Sequence, residues 1–224
     1  MKVIDPYFEI LYMPDGDEIM KHLELAARTC YKSEDKITED SAETFLARIV
    51  KSGHESVIEH ASVSVRIICD RGVTHELVRH RLCSFSQEST RYANYSKEKF
   101  GNEITVIRPF FFEPGSERYR EWETAMHSCE RAYLTLLAAG AKAQEARSVL
   151  PNSLKTDIVV TANIREWRHI FKLRCSKASH PQMRQVMLPL LETFSSKIPV
   201  LFDTLCETHK EEIPFFRDQV APPV

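Results

Sequence analysis

Apolar side chains recur along the chain with two different periods, and each period predicts a type of element. Between Ala61 and Asp70, apolar Val63, Val65 and Ile67 alternate with polar residues, which is typical of a strand with one buried face. Two short apolar runs predict further strands at 103–109 and 156–163. Elsewhere apolar residues recur every three or four positions, which predicts helices over 17–31, 41–53, 117–139 and 165–176, short helices over 74–81 and 141–151, and a helical tail over 183–206 interrupted by prolines.

Glycine, proline and capping residues indicate where these elements end. Gly53 and Gly140 should follow helix C-termini, Pro109 should stop a strand, and Thr74 should cap the helix over 74–81. The strands are flanked by helices without the regular alternation of a doubly wound sheet, so the predicted fold class is α+β. We find no repeat and no linker, and therefore predict a single domain over residues 1–224.

Composition excludes several classes of protein. The net charge is −2, so no overall field attracts DNA or a membrane surface. No apolar run reaches membrane-spanning length and the first residues lack a leader's apolar segment, so we expect a cytoplasmic protein. The six cysteines are widely separated with no C-x-x-C pair, which predicts reduced thiols and argues against structural zinc.

Two ligand motifs are incomplete. His54 and His60 in HESVIEH are six positions apart, roughly 240° around a helix, so they do not match a helical zinc signature. We expect instead a loop that follows Gly53 and presents polar groups to a ligand. The six glycines form neither a dinucleotide fingerprint nor a P-loop, so any bound phosphate would be held by side chains, for which arginine is suited.

The stretch RHRLCSFSQESTRY, residues 79–92, contains many side chains that can bind a phosphate. It carries three arginines and several hydroxyls, with Glu88 as its only acid. A solvated basic loop is one interpretation; the interleaved Leu82 and Phe85 and the missing acidic partners favour an anion-binding segment. A nucleic-acid module would require a basic net charge, and a metallohydrolase better ligand spacing. A second group comprises Arg147, Arg165, Arg168 and Arg174. The last three do not form one stripe on the predicted helix, so we expect some of them to cap a helix or to extend along apolar surface.

These motifs carry a resemblance to a known family. R-H-R followed by seven residues and Ser89 resembles the signature of the flavin-dependent thymidylate synthases. AARTCY (26–31), SGHESVIEH (52–60), ARSVLP (146–151) and the blocks N-x-R-E, L-R-C and SHPQ between 163 and 182 resemble family segments in the same order. The resemblance implies a single-domain fold with a central, mostly antiparallel sheet, assembled as a homotetramer with active sites at subunit interfaces, and neither a nucleic-acid polymer nor a membrane as partner.

The resemblance also implies an activity: reductive methylation of dUMP to dTMP in de novo dTMP synthesis, with 5,10-methylenetetrahydrofolate as carbon donor and FAD, reduced by NADPH, as hydride source. It implies Arg174 as the catalytic residue. It places at FAD the residues Ser56, Arg79, His80, Arg81, Gln87, Asn163, Arg165 and His169. It places at dUMP the residues Glu76, Leu77, Val78, Arg79, Gln87, Glu88, Ser89, Thr90, Arg91, Arg147 and Arg174. The sequence departs from the family at Glu76, often Gln, at His169, often Asn, and in the length before His180, so the roles of these three residues stay open.

Overall fold

A four-stranded antiparallel sheet forms the centre of the computed structural model, which describes residues 1–221. Its strands lie in the order β2 (Tyr7–Tyr12), β3 (Ser62–Asp70), β6 (Lys155–Asn163) and β4 (Ser84–Gln87). β3 and β6 pair over their whole lengths, from Ser62 opposite Asn163 to Asp70 opposite Lys155. A small parallel pair, β1 (Lys2–Ile4) and β5 (Thr105–Ile107), lies apart from this sheet. The predicted fold class is therefore confirmed.

Helices cover one face of the central sheet. The inward residues of β3 and β6 enter the larger hydrophobic core, because successive strand residues point to opposite faces. The helices that contribute to this core are α1 (Gly16–Thr29), α2 (Ser41–Lys51), α3 (Arg71–Leu77), α6 (Ile164–Arg174), α7 (Pro181–Lys197), α8 (Pro199–Glu207) and α9 (Ile213–Arg217). A smaller core lies between β5, α4 (Glu117–Ala138) and α5 (Ala143–Ala146).

The other sheet face is polar. Ser64 and Thr161 share a hydrogen bond of 2.8 Å across β3 and β6, and the Arg66 guanidinium pairs with Asp157 and Glu9. Their alternation with core residues is the pattern that the sequence predicted for β3.

Most sequence-predicted elements are confirmed within a few residues, and the exceptions have local causes. Thr74 is not the cap of α3, because the helix begins one turn earlier, where the Asp70 carboxylate accepts from the Val73 amide at 2.8 Å. HESVIEH forms a 3₁₀ helix over Glu55–His60 rather than a loop. In the helical tail, α7 continues through Pro189 and the break comes at Ile198. The pattern did not predict β1, β2 or β4. Further 3₁₀ turns lie at Glu34–Lys36, Glu98–Phe100 and Arg147–Val149.

Several other expectations have a structural counterpart. All six cysteines are free thiols, as predicted. Within residues 1–221, none of the helices combines the length and the apolar character needed to cross a bilayer. The cytoplasmic location stays a prediction, and so does the single-domain extent, whose last three residues, 222–224, lie outside the described part.

Candidate functional site

The signature segment leaves helix α3 and then joins the sheet. α3 ends at Leu77, residues 78–83 form turns, and β4 then pairs with β6. Arg79 and Arg81 are both exposed on either side of the buried His80. Neither arginine forms an ion pair within residues 1–221. Because α3 stops before them, the two arginines are not fixed on opposite faces of a helix.

The end of α3 and the end of α6 meet through Arg174. Its Nε donates to Nε2 of His80 at 3.0 Å. One terminal nitrogen donates to the Glu76 carboxylate at 2.9 Å and the other to the Glu76 carbonyl at 3.0 Å. The Arg174 side chain is 18% exposed, so this planar, permanently charged group is fixed at the edge of solvent.

His80 is a neutral imidazole in this arrangement. Burial lowers the pKa of His80 to about 4, with smaller contributions from the Arg174 charge and from His169. Its Nδ1 lies 3.3 Å from a carboxylate oxygen of Glu166, and its ring meets the His169 ring edge to face at 5.5 Å. Sequence reasoning missed Glu166. The available signal was the block N-x-R-E, whose glutamate is Glu166.

The same histidines also form a candidate metal cluster. Potential ligand atoms of His80, Glu166 and His169 lie within 4.8 Å of one another, whereas His54 and His60 are not part of this group. The Arg174 guanidinium, bonded to His80, places a permanent positive charge beside the cluster and disfavours a cation there. The sequence prediction of no metal stays a prediction.

A second arginine cluster follows β4. Arg147 approaches the Thr90 hydroxyl at 3.4 Å, and the Arg91 amide donates to the Ser89 hydroxyl at 3.3 Å. Arg91 and Arg147 are exposed, and neither has an ion-pair partner in the described chain. Glu88 anchors this segment, since its carboxylate accepts from the Tyr95 hydroxyl at 2.9 Å and from Lys155 at 3.0 Å. Among residues 1–221, no hydrogen bond or ion pair joins this cluster to Arg174.

The remaining predicted site residues differ in how available their side chains are. Gln87 donates to the hydroxyls of Thr74 and Thr156, and Leu77 is fully buried. Asn163 caps α6 by accepting from the Glu166 amide at 2.9 Å. Ser56, Val78 and His169 are exposed, and the exposed Arg165 pairs with Glu59 and Glu55. Their ligand contacts stay predictions.

Arg168 and His180 have structural partners in this chain. Arg168 is buried and donates to the Leu201 carbonyl, so it holds α6 against α8. His180 caps α7, where its Nδ1 accepts from the Gln182 amide at 3.2 Å. Arg165, Arg168 and Arg174 therefore each have different partners in the described chain.

Comparisons of sequence agree on one family, and a solved structure shares the fold. The family model described as "Thymidylate synthase complementing protein" matches residues 10–200. A flavin-dependent thymidylate synthase from Geobacter sulfurreducens is 36% identical over 185 residues, 80% of this chain and 78% of the relative. One from Pyrococcus abyssi is 36% identical over 167 residues, 74% of this chain and 68% of the relative. A solved structure of the UMP/dUMP methylase PolB from Streptomyces cacaoi, bound with 5-Br dUMP, shares the fold at a TM-score of 0.72 and 24% identity, covering 91% of this chain and 96% of the other.

The Cys83 thiol should be unreactive although arginines surround it in sequence. Burial, together with the nearby Glu166 charge, raises the pKa of Cys83 to about 12. Because the thiolate is the nucleophile, iodoacetamide at pH 8 should alkylate Cys83 at least about 100-fold more slowly than the exposed Cys30, measured by mass spectrometry of the folded protein. Comparable rates at the two cysteines would contradict this environment.

Proposed function

The chain belongs to the family of flavin-dependent thymidylate synthases, and from this premise we propose that it methylates dUMP to dTMP. The observation that carries the proposal is that the arginines of the site are of two kinds: exposed ones without an ion-pair partner, and one that is held in a fixed orientation. Four of them, Arg79, Arg81, Arg91 and Arg147, are exposed without an ion-pair partner in residues 1–221, while Arg174 is rigidly oriented. Guanidinium groups without a partner can bind phosphate through charge-assisted hydrogen bonds. A guanidinium held in one orientation can stabilise the charge that develops on a reacting ring.

FAD is the proposed cofactor, and the donor set of the chain fits it. Unpaired Arg79 and Arg81 flank the buried His80, so two guanidinium groups can bind the flavin's pyrophosphate where no glycine-rich loop exists. When bound and reduced, FAD supplies the hydride. Ser56, Gln87, Asn163, Arg165 and His169 are the further residues that we propose for its binding.

The cluster around Arg147 is the proposed phosphate site for dUMP. Ser89, Thr90 and Arg91 lie on one short segment with Arg147 beside it, and together they offer hydroxyl and guanidinium donors. Glu76, Leu77, Val78, Arg79, Gln87 and Glu88 complete the proposed nucleotide contacts; Leu77, which is fully buried, would contribute through its backbone.

Arg174 is the proposed catalytic residue. Bond formation at uracil C5 requires electron density at that carbon, and a guanidinium at the ring's carbonyl and N3 edge stabilises the N3-deprotonated form. One terminal nitrogen now donates to the Glu76 carboxylate, and we propose that the uracil edge replaces this carboxylate as its acceptor. The carbon donor would be 5,10-methylenetetrahydrofolate and the reductant of FAD would be NADPH; the proton at C5 is lost.

We propose a homotetramer with its active sites between subunits. Within the described chain the two arginine clusters are not connected, and large apolar side chains around them face solvent. Leu82 is 78% exposed and Tyr92 80%, and Val78 and Leu173 are also exposed. Association of copies would bury these side chains and bring the Arg174 cluster of one subunit to the Arg147 cluster of another.

Flavin retention tests the cofactor site. Arg79→Ala and Arg81→Ala should each weaken FAD binding about tenfold to a hundredfold, because a charge-assisted hydrogen bond contributes roughly 1.5–3 kcal/mol. The measurement is the flavin-to-protein absorbance ratio after desalting, followed by fluorescence titration with FAD. Arg118→Ala, an exposed arginine on α4, is the matched control and should retain wild-type flavin. Full flavin content in both site variants would refute the assignment.

Turnover of Arg174 variants tests the catalytic role. Arg174→Ala and Arg174→Lys should each lose about a hundredfold to a thousandfold in kcat at saturating dUMP, the range for removing a preorganised charge-stabilising donor. Lys should rescue poorly because it lacks the planar fork. Flavin reduction by NADPH should survive in both variants. A change confined to the KM for dUMP would make Arg174 a binding residue only.

Mixed assemblies test the shared site. Arg147→Ala and Arg174→Ala proteins should each be nearly inactive, and subunit exchange between them should restore activity, since some hybrid sites then carry both wild-type arginines. The measurement is dTMP formation after mixing, with exchange verified by native mass spectrometry. Verified exchange without recovery would mean that both arginines act within one chain's site.

A further inference from the structure

We propose that Glu166 is a positioning residue: its carboxylate holds His80 in the one tautomer that can accept from Arg174, and it thereby orients the Arg174 guanidinium. The inference rests on the proposed role of Arg174. It adds a residue that neither the signature nor the expected site contains.

The tautomer of His80 follows from its two neighbours. Arg174 Nε is only a donor, and it lies 3.0 Å from His80 Nε2, so Nε2 must be the unprotonated nitrogen. The ring proton is then on Nδ1, which lies 3.3 Å from a carboxylate oxygen of Glu166. Arg174 is thus hydrogen-bonded to His80, and the Glu166 carboxylate is the acceptor that we propose for the proton on the other ring nitrogen.

Burial leaves His80 and Glu166 with few other hydrogen-bond partners. His80 is 4% exposed and Glu166 is 7% exposed, so little water is present to replace a lost partner. Burial and the adjacent guanidinium lower the pKa of His80 to about 4, so the ring is neutral during turnover near pH 7. In the opposite tautomer, the Nε2 proton would face the Arg174 Nε proton, leaving two buried donors opposed. Without an acceptor at residue 166, the imidazole ring loses the interaction that holds it in the orientation required by Arg174.

The effect reaches the nucleotide through Arg174. Its terminal nitrogens face Glu76, at the end where we place uracil, while Nε faces the interior. If uracil displaces the Glu76 carboxylate, the Nε contact with His80 and the bond to the Glu76 carbonyl remain. The His80 acceptor, held by Glu166, is then one of the two contacts that fix the plane of the guanidinium when the reaction occurs.

A purely structural role for Glu166 makes a different prediction. Glu166 is also an acid in the first turn of α6, where a negative charge interacts favourably with the helix dipole and stabilises the helix. Glu166→Gln removes the charge but keeps an oxygen at the same reach. Glu166→Asp keeps the charge but withdraws the oxygen by one methylene. Positioning requires the Gln variant to be the more active, whereas a charge effect on the helix requires the Asp variant to be.

A double-mutant cycle tests whether Glu166 acts through Arg174. Glu166→Gln and Glu166→Asp are prepared in the wild-type and Arg174→Lys backgrounds, as full-length FAD-loaded protein. Each is measured for dUMP affinity without reductant, for kcat and KM, and for Tm. In the wild-type background we expect Gln to stay within about threefold of wild type and Asp to lose about tenfold in kcat, with a weaker loss in dUMP affinity. In the Arg174→Lys background the two should agree within about threefold.

Three outcomes would overturn the inference: an Asp variant as active as Gln, losses that multiply unchanged in the Arg174→Lys background, or losses that follow Tm alone. A wild-type protein that binds dUMP without forming dTMP would refute the proposed function instead. The affinity cycle would still decide the role of Glu166, because it needs no turnover.

Discussion

The antiparallel ladder between β3 and β6 is the contact on which the rest of the structure depends. It runs the full length of both strands, and its inward residues form the middle of the larger core. A slip of one residue would turn Val63, Val65 and Ile67 toward the polar face and Arg66 into the core, so the register is strongly specified. Because the register fixes which side chains face the core, the helices on the covered face pack against them in one arrangement.

This register also places the site. β3 continues through the Asp70 cap into α3 and the signature segment, and β6 continues through the Asn163 cap into α6. Two segments distant in sequence are thereby brought together, and His80 meets Glu166 and Arg174. Because buried polar groups are costly without partners, the two ends of this network stabilise each other.

The arginines show how one residue type serves fold and function in the same chain. Arg66, Arg165 and Arg168 are neutralised or hydrogen-bonded within the chain and support the sheet, the surface and the helix packing. Arg79, Arg81, Arg91 and Arg147 have no acidic partner in residues 1–221. Exposed Arg118 also has no acidic partner among the described residues, so it is the grouping of these four charges around the signature segment that agrees with a dinucleotide cofactor and a nucleotide substrate.

Local patterns determined the helices, strands β3, β5 and β6, the free thiols and the signature, because periodicity and residue chemistry are properties of short segments. They did not reveal β2 or β4. The polar SFSQ becomes a strand only because β6 offers its edge, and Tyr7–Tyr12 because β3 does. The resemblance likewise predicted Arg174, His80 and Glu76 as site residues, but not the contacts that join them. Glu166 became visible only through His80, since a contact between distant segments is decided by strand register and helix packing.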